Sequence, residues 1–296
     1  MSQSLAELSG VSKRFGKIEA LNNFELQVRP AELLAVLGPN GAGKSTAIAL
    51  MLGLQQPDSG SVRLFGGSPM NVATRRQIGV MMQDAGLAPE VRVREHVDLV
   101  ASYYADPLSA EEALTLTGTS PLSARPYGKL SGGQKRQVQF AMAIVGRPKL
   151  LFLDEPAVGL DIRARELMWA AVRELVHQGV SIVLTTHYLE EAESLADRVV
   201  VLAKGRAIAS GTVDELRSLV DRRHISCVSS FSADLISTWP GVQAVNRDRG
   251  RLQITATNAD TVVKQLVLAN ADFRELEVHR AGLAEAFTEL TQEVAS

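Results

Sequence analysis

Leu33-Leu34-Ala35-Val36-Leu37-Gly38-Pro39-Asn40-Gly41-Ala42-Gly43-Lys44-Ser45-Thr46 is the stretch on which the fold turns. Five apolar residues in succession predict a strand buried on both faces, as in a parallel sheet. A glycine-rich turn follows at once, and Ala47 to Leu54 has the composition of a helix. Strand, turn and helix in this order point backbone N–H groups inward around a phosphate and aim the positive helix end at it. Gly38 to Ser45 fits G-x-x-x-x-G-K-[ST], in which Lys44 neutralises the β- and γ-phosphates of a nucleotide and Ser45 coordinates Mg²⁺. A chance glycine turn would meet that pattern in about one chain in a hundred, and more rarely still between a strand and a helix.

Outward from this stretch, strands are expected at Phe24 to Val28, Ser61 to Phe65 and Ile78 to Gln83, the second of these set off by the turn Pro57-Asp58-Ser59-Gly60. From Asp84 to Arg147 the character turns helical, with Val93 to Tyr104, Ser109 to Leu116 and Gly132 to Val145, and Ser109 as an N-cap. Alternation of strand and helix then resumes: Leu150 to Leu153, Ile162 to His177, Ser181 to Thr185 and Leu189 to Ala196. Arg198 to Ala203 and Arg206 to Ser210 read as a hairpin across Lys204-Gly205. A mostly parallel sheet covered by helices, with right-handed crossovers, is the economical assembly.

After about Arg217 the pattern restarts as βαββαβ, which is the ferredoxin-like plan, and ends in a helix with Leu283, Ala286, Phe287 and Leu290 on one face. The expected organisation is therefore an α/β phosphate-loop domain over residues 1–217, with a helical subdomain at about 84–147. A small α+β, ferredoxin-like accessory domain follows over 218–296.

The 296 residues, 46% hydrophobic and 22% charged, suffice for one large core and one smaller one. A formal net charge of −2 gives no overall pull toward nucleic acid, so no nucleic-acid partner is expected. The single cysteine, Cys227, cannot form an internal disulfide and reads as a small buried hydrophobe in a reducing compartment. Met1 to Glu7 lacks the basic and apolar regions of a secretory leader, and no apolar run approaches the ~20 residues that span a bilayer. The expected location is cytoplasmic, with any membrane role supplied by a partner.

Leu150 to Leu153 runs into Asp154-Glu155. Beside a bound nucleotide, one carboxylate at such a strand end can hold Mg²⁺ and its neighbour can polarise the attacking water. Asp-Glu after a strand is often only a solvated turn, and the phosphate loop is what lifts it above that.

With these residues the chain resembles the nucleotide-binding subunit of an ABC transporter. Leu130-Ser131-Gly132-Gly133-Gln134 matches the family signature, Gly159-Leu160-Asp161 the D-loop, Gln83 the Q-loop, and His187 in Thr185-Thr186-His187 the switch histidine. Taken singly, His187 and Gln83 would be ordinary polar residues; it is the family's order that connects them. The resemblance implies an ATPase in which Glu155, His187 and Lys44 are catalytic. Ser45, Gln83 and Asp154 would lie at the metal, and Asp161 and the signature at the nucleotide. Ser131-Gly132-Gly133 opens a predicted helix and is thus a second phosphate cradle in one chain. That is accounted for if, as in the family, the signature of one protomer closes on the ATP held by the other in a C₂ homodimer.

Phe15, where the family more often has tyrosine, would stack on adenine; an ordinary strand-edge aromatic is the competing reading. Gly86 to Glu95 resembles the segment that receives a transmembrane permease, or is a plain surface loop. Thr185 to Ala192 together with the C-terminal domain resembles the exporter branch typified by daunorubicin-resistance and polysaccharide-export ATPases. The expected role is to drive a permease from the inner face of the membrane. A non-transport ABC ATPase acting on the ribosome or DNA is the alternative. Translation-type members carry two cassettes per chain and DNA-repair members a long coiled coil, and neither feature occurs here. A module without turnover would not need Glu155 and His187 intact.

Overall fold

A computed structural model describes residues 4–83, 86–219, 223–269, 272–280 and 282–295. The chain divides into two compact units, Met1–Val213 and Asp214–Ser296.

In the first unit a long hairpin, β1 (Ala6–Phe15) and β2 (Ile18–Val28), precedes β3 (Leu33–Leu37) and α1 (Lys44–Met51). Then come β4 (Ser59–Leu64), the single turn α2 (Val72–Arg75) and β5 (Ile78–Met81). The helical stretch holds α3 (Val93–Ala101), α4 (Ala110–Leu116) and α5 (Gly132–Ile144). It is followed by β6 (Leu150–Asp154), α6 (Ile162–His177), β7 (Ser181–Thr186), α7 (Leu189–Leu195), β8 (Arg198–Ala203) and β9 (Arg206–Gly211). α8 (Val213–Ser218) runs across the boundary between the units.

The central sheet has the order β5-β6-β7-β3-β8-β9, parallel throughout except for β9, which pairs antiparallel with β8. β3 is buried along its whole length, as its unbroken apolar run requires. Leu34 and Val36 join a core with Phe24, Leu26, Ile48 and Phe152, under a second, antiparallel sheet of order β2-β1-β4. Leu33 belongs to the opposite core with Leu151, Leu153, Met168 and Ile182. Residues on alternate sides of one strand thus tie both layers to the sheet.

α5 also serves two cores. Phe140 and Ile144 pack in the core of α6 and the sheet, while Val138, Ala141 and Val145 pack with Val93 and Val97 of α3. The helix that begins with the signature is therefore fixed to the sheet and to the helical layer at once.

Three differences from the sequence reading have physical causes. β1 carries register shifts between Leu8 and Val11 and again after Val11, which destroy the period-2 pattern that would have announced it. α1 starts at Lys44, three residues before the apolar composition begins, because its first turn is the end of the phosphate loop. β5 stops at Met81, so Gln83 lies in the loop beyond it.

The second unit contains β10 (Arg223–Ser229), α9 (Ala233–Ser237), β11 (Val242–Asp248), β12 (Arg251–Ala256), α10 (Ala259–Leu268), β13 (Phe273–Arg280) and α11 (Leu283–Ala295). Its sheet runs β11-β12-β10-β13 with every neighbour antiparallel, the ferredoxin-like arrangement. Cys227 is fully buried in its core beside Ile225, Leu252 and Ile254.

Candidate functional site

The carboxyl ends of β3, β6 and β7 lie side by side. Leu37 is in register with Thr186, and Asp154 with Thr185. Three consecutive loops at one edge of a parallel sheet form the crevice in which such folds bind ligands.

The first loop is Gly38 to Gly43. Gly43, at the N-cap of α1, has φ 111°, and a Cβ there would stand 2.4 Å from the Ala20 carbonyl oxygen and 2.9 Å from Leu21 Cδ2. Glycine is the only residue that fits that backbone and that space. No acidic residue occupies the first turn of α1, so its positive end is not neutralised from within. Lys44 is buried, and its Nζ donates to the Gly38 oxygen at 2.6 Å and the Pro39 oxygen at 3.2 Å. Burial lowers its pKa, and the negative charges of Glu155 and Asp154 oppose that shift. Pro39, Asn40, Gly41 and Ser45 are exposed around this cradle, Thr46 is half-buried and Ala42 is buried.

The second loop follows β6. Asp154 is buried and accepts a hydrogen bond from the Thr185 hydroxyl. Glu155 has φ 51°, a sparsely populated region for a residue with a side chain, and its N–H donates to the Thr185 oxygen at 3.0 Å. From the third loop, His187 brings Nδ1 to 2.7 Å from Glu155 Oε2. That distance suits an ion pair, but the direction is off a hydrogen bond. The buried oxygen therefore has no directed donor among the described residues. The His187 ring lies with its centroid 4.2 Å from that of Tyr188, the two planes tilted by 36°.

The start of α5 presents a second set of N–H groups. Ser131 is its N-cap: its hydroxyl accepts from Gln134 N at 3.2 Å, and the Gln134 side chain accepts from Ser131 N at 3.1 Å. This reciprocal box leaves Gly132 exposed at the helix tip. A Cβ on Gly133 would meet the Gly159 oxygen at 3.1 Å, so the helix start packs closely on the Gly159-Leu160-Asp161 turn. Asp161 caps α6 by accepting from Ala164 N at 2.8 Å. Phe15 is exposed at the end of β1, with Lys13 Nζ 5.6 Å from its ring centroid. Gln83 is exposed, its main-chain oxygen held by Arg136 at 3.1 Å.

The sequence profile of the ABC transporter family matches residues 21–158. The daunorubicin resistance ATP-binding protein DrrA3 of Streptomyces coeruleorubidus is 35% identical over 98% of this chain and 97% of its own length. This chain belongs to the ABC transporter family. The Nod factor export ATP-binding protein I of Burkholderia thailandensis is 40% identical over 71% of this chain and 72% of its own. An ATP-binding subunit of an ABC transporter superposes with a TM-score of 0.67 at 30% identity, covering 73% of this chain and 93% of that one. A dimeric ATP-binding cassette in a post-hydrolysis state, bound to ADP and phosphate, gives 0.65 at 26% identity over 70% of this chain and 98% of that one.

The protein is thus an ABC ATPase, an ATP-binding subunit that hydrolyses ATP. Three further residues shape this site in ways that the sequence did not assign to them. Arg136 reaches the site from α5, Thr185 grips Asp154 from the neighbouring strand, and Glu191 lies buried on α7 behind the His187 loop. Their partners are distant in the chain, 53 residues for Arg136 and Gln83 and 31 for Thr185 and Asp154, so only the fold brings them together.

Proposed function

We propose that this ABC ATPase powers export through a separate transmembrane permease, closing as a homodimer on two ATP molecules. The observation that carries the reading is the pair of open helix starts in one chain. The tip of α1 is backed by Lys44, Asp154 and Glu155, whereas α5 opens at Ser131 and Gly132, both exposed, with no acidic residue in its first turn. A second copy, related by a two-fold axis, completes both sites with one set of residues.

In this reading Lys44 gives up its contacts to the loop carbonyls and takes the β- and γ-phosphate oxygens. The N–H groups of Gly38 to Thr46 hold the rest. The exposed Ser45 hydroxyl and the buried Asp154 carboxylate are hard oxygen donors of the kind Mg²⁺ takes, and the ion bound there would offset phosphate charge. Gln83 reaches toward the same centre. The undirected Oε2 of Glu155 accepts from and orients the attacking water, and His187 contacts the γ-phosphate across the short gap between them. Phe15 stacks on adenine, Asp161 lines the partner's site, and Gln134 holds the signature turn.

No helix among the described residues is long and apolar enough to cross a membrane, and in this reading the pathway is supplied by a separate permease. An apolar groove lined by Leu52, Ile78, Val80, Met82 and Tyr104 fits an amphipathic helix of such a permease, and the segment Gly86 to Glu95 joins Met82 to the helix that carries Val100 on the same groove. Met82 lines the groove and Gln83 follows it directly, so an occupant there bears on the site. Export, rather than import, rests on the relatives named for daunorubicin resistance and Nod factor export. The ATPase domain reading over residues 1–217 and the accessory role of residues 218–296 belong to the same proposal. The test is affinity capture of the tagged protein from detergent-solubilised membranes of its source. A stoichiometric polytopic membrane protein supports the reading; co-isolation with ribosomes in its place overturns it.

A further inference from the structure

α5 carries a buried arginine whose guanidinium lies among main-chain carbonyls. Arg136 Nη1 donates to the Met82 oxygen at 2.8 Å, the Gln83 oxygen at 3.1 Å and Gln139 Oε1 at 3.1 Å. Nη2 donates to the Asp154 oxygen at 2.9 Å and to the Glu155 oxygen. These carbonyls belong to the ends of two adjacent parallel strands, β5 and β6, and to the loops that leave them.

We propose that Arg136 is a positioning residue for hydrolysis, clamping the main chain at Gln83 and Glu155 to the helix that begins with Ser131, so that all three move as one body. The proposal rests on the reading above that Glu155 orients the attacking water.

The residue type suits the task. A guanidinium is a planar fork of fixed donors that can span two strand ends at once, while an ammonium is a single point with three donors. The clamp also bears on the left-handed backbone of Glu155, pinned from one side by its N–H bond to Thr185 and from the other by Arg136. The fork has an orienter of its own. Gln139 Nε2 donates to the Tyr127 hydroxyl at 2.8 Å, which fixes the amide so that its oxygen faces Arg136. Tyr127 meets the His96 ring edge-on at 5.6 Å, and His96 Nε2 is 2.9 Å from the Ala88 oxygen, in the segment after Gln83. The arginine is thus held at both ends by the loop it grips. A shift of α5 or of that loop is carried to the backbone of Glu155, and a misplacement on the order of 1 Å at a reacting group costs about 10² in rate.

The test uses the full-length protein, with turnover, ATP affinity and thermal unfolding measured on the same preparations. Arg136→Lys keeps the charge but cannot span both strand ends. It should lower kcat by about 10- to 100-fold while ATP affinity stays within about threefold. Gln139→Leu, which leaves the arginine in place but removes its orienter, should lower kcat by about three- to tenfold at unchanged affinity. Combined with Arg136→Lys it should add nothing, because both act through one clamp. Wild-type kcat in a folded Arg136→Lys protein, or parallel loss of affinity and turnover, overturns the proposal. If Arg136→Lys does not fold, wild-type kcat in Gln139→Leu overturns it. Glu155→Gln is the control: if that variant keeps full turnover while Arg136→Lys loses it, the role given to Glu155 is wrong and the clamp acts on another group.

Discussion

His187 Nδ1 lies 2.7 Å from Glu155 Oε2, although the two residues sit on loops that leave different strands. The parallel pairing of β6 with β7, with Asp154 opposite Thr185, is what brings them together. The carboxylate oxygen is buried and lacks a directed donor among the described residues.

Glu155→Gln should therefore bind ATP and barely hydrolyse it, with turnover reduced by about 10² to 10⁴, the usual worth of a positioned base. The isostere leaves Asp154, Lys44 and both helix starts in place, so ATP affinity should be retained. With hydrolysis stalled, the variant should run as a dimer in saturating ATP by size-exclusion chromatography with light scattering. Adding Ser131→Arg, which blocks the exposed tip of α5, should return it to a monomer. A dimer insensitive to Ser131→Arg would refute the shared site.

Lys44→Met separates binding from folding. Because burial holds the Lys44 pKa below its ordinary 10.5, the unfolded chain binds the proton more tightly. Across the pH range between the two values stability rises with pH, and below the folded value the full cost of burying the charge is present. Removing the charge should leave the melting temperature of the nucleotide-free protein unchanged or higher, and should abolish the stabilisation that Mg-ATP gives the wild type. A variant still stabilised by ATP would exclude Lys44 from the phosphate site.

A chain ended at Leu219 should fold and keep its ATP affinity within about threefold of the full-length value. Three of the hydrophobic clusters, around Phe152, Phe140 and Val97, lie wholly before residue 214, and the cluster around Ile254 lies wholly after it. Units with their own cores generally fold alone. Calorimetry and nucleotide titration of the shortened protein test this, and a soluble, monodisperse fragment that binds no ATP would contradict it.

What the sequence made legible was what local pattern encodes. Leu33–Leu37 is a strand because nothing polar interrupts it, and Ile162–His177 and the βαββαβ order of the second unit are equally plain in period. The phosphate loop, the carboxylates after β6 and His187 were legible as motifs, and their proximity follows from the order of β3, β7 and β6 in the sheet. What stayed hidden depends on distance in the chain or on broken pattern. β1 is masked by its bulges. Arg136 looks like any basic residue on a helix until the fold sets it among the carbonyls of β5 and β6. Glu191 stands in α7 between the exposed Glu190 and a buried Ala192, and nothing in the local pattern marks it as buried.

That buried acid gives a pH signature. Glu191 is 1% exposed, with Trp169 Nε1 donating to its Oε1 at 3.2 Å, and Oε2 has no hydrogen-bond donor among the described residues. Desolvation raises its pKa above the ordinary 4.5; bonds from Thr186 and Trp169 oppose the shift, and the charge on Glu155 adds to it. The folded protein then holds the proton more tightly than the unfolded chain. The resulting stability is present in full below the unfolded value and is lost as pH rises through the folded one. Glu191→Gln is neutral at every pH and keeps an acceptor for Trp169 and Thr186. It should melt above the wild type at about pH 8, with the difference shrinking toward zero as pH falls to the 4.5 of the free side chain. Thr186 precedes His187 and its hydroxyl accepts from Tyr188 N at 2.9 Å, so the substitution should leave the His187 turn intact and turnover near neutrality within about twofold. Thermal unfolding of both proteins from acid to mildly alkaline buffer decides it: a melting difference independent of pH would mean that Glu191 is ionised in the folded and unfolded states alike.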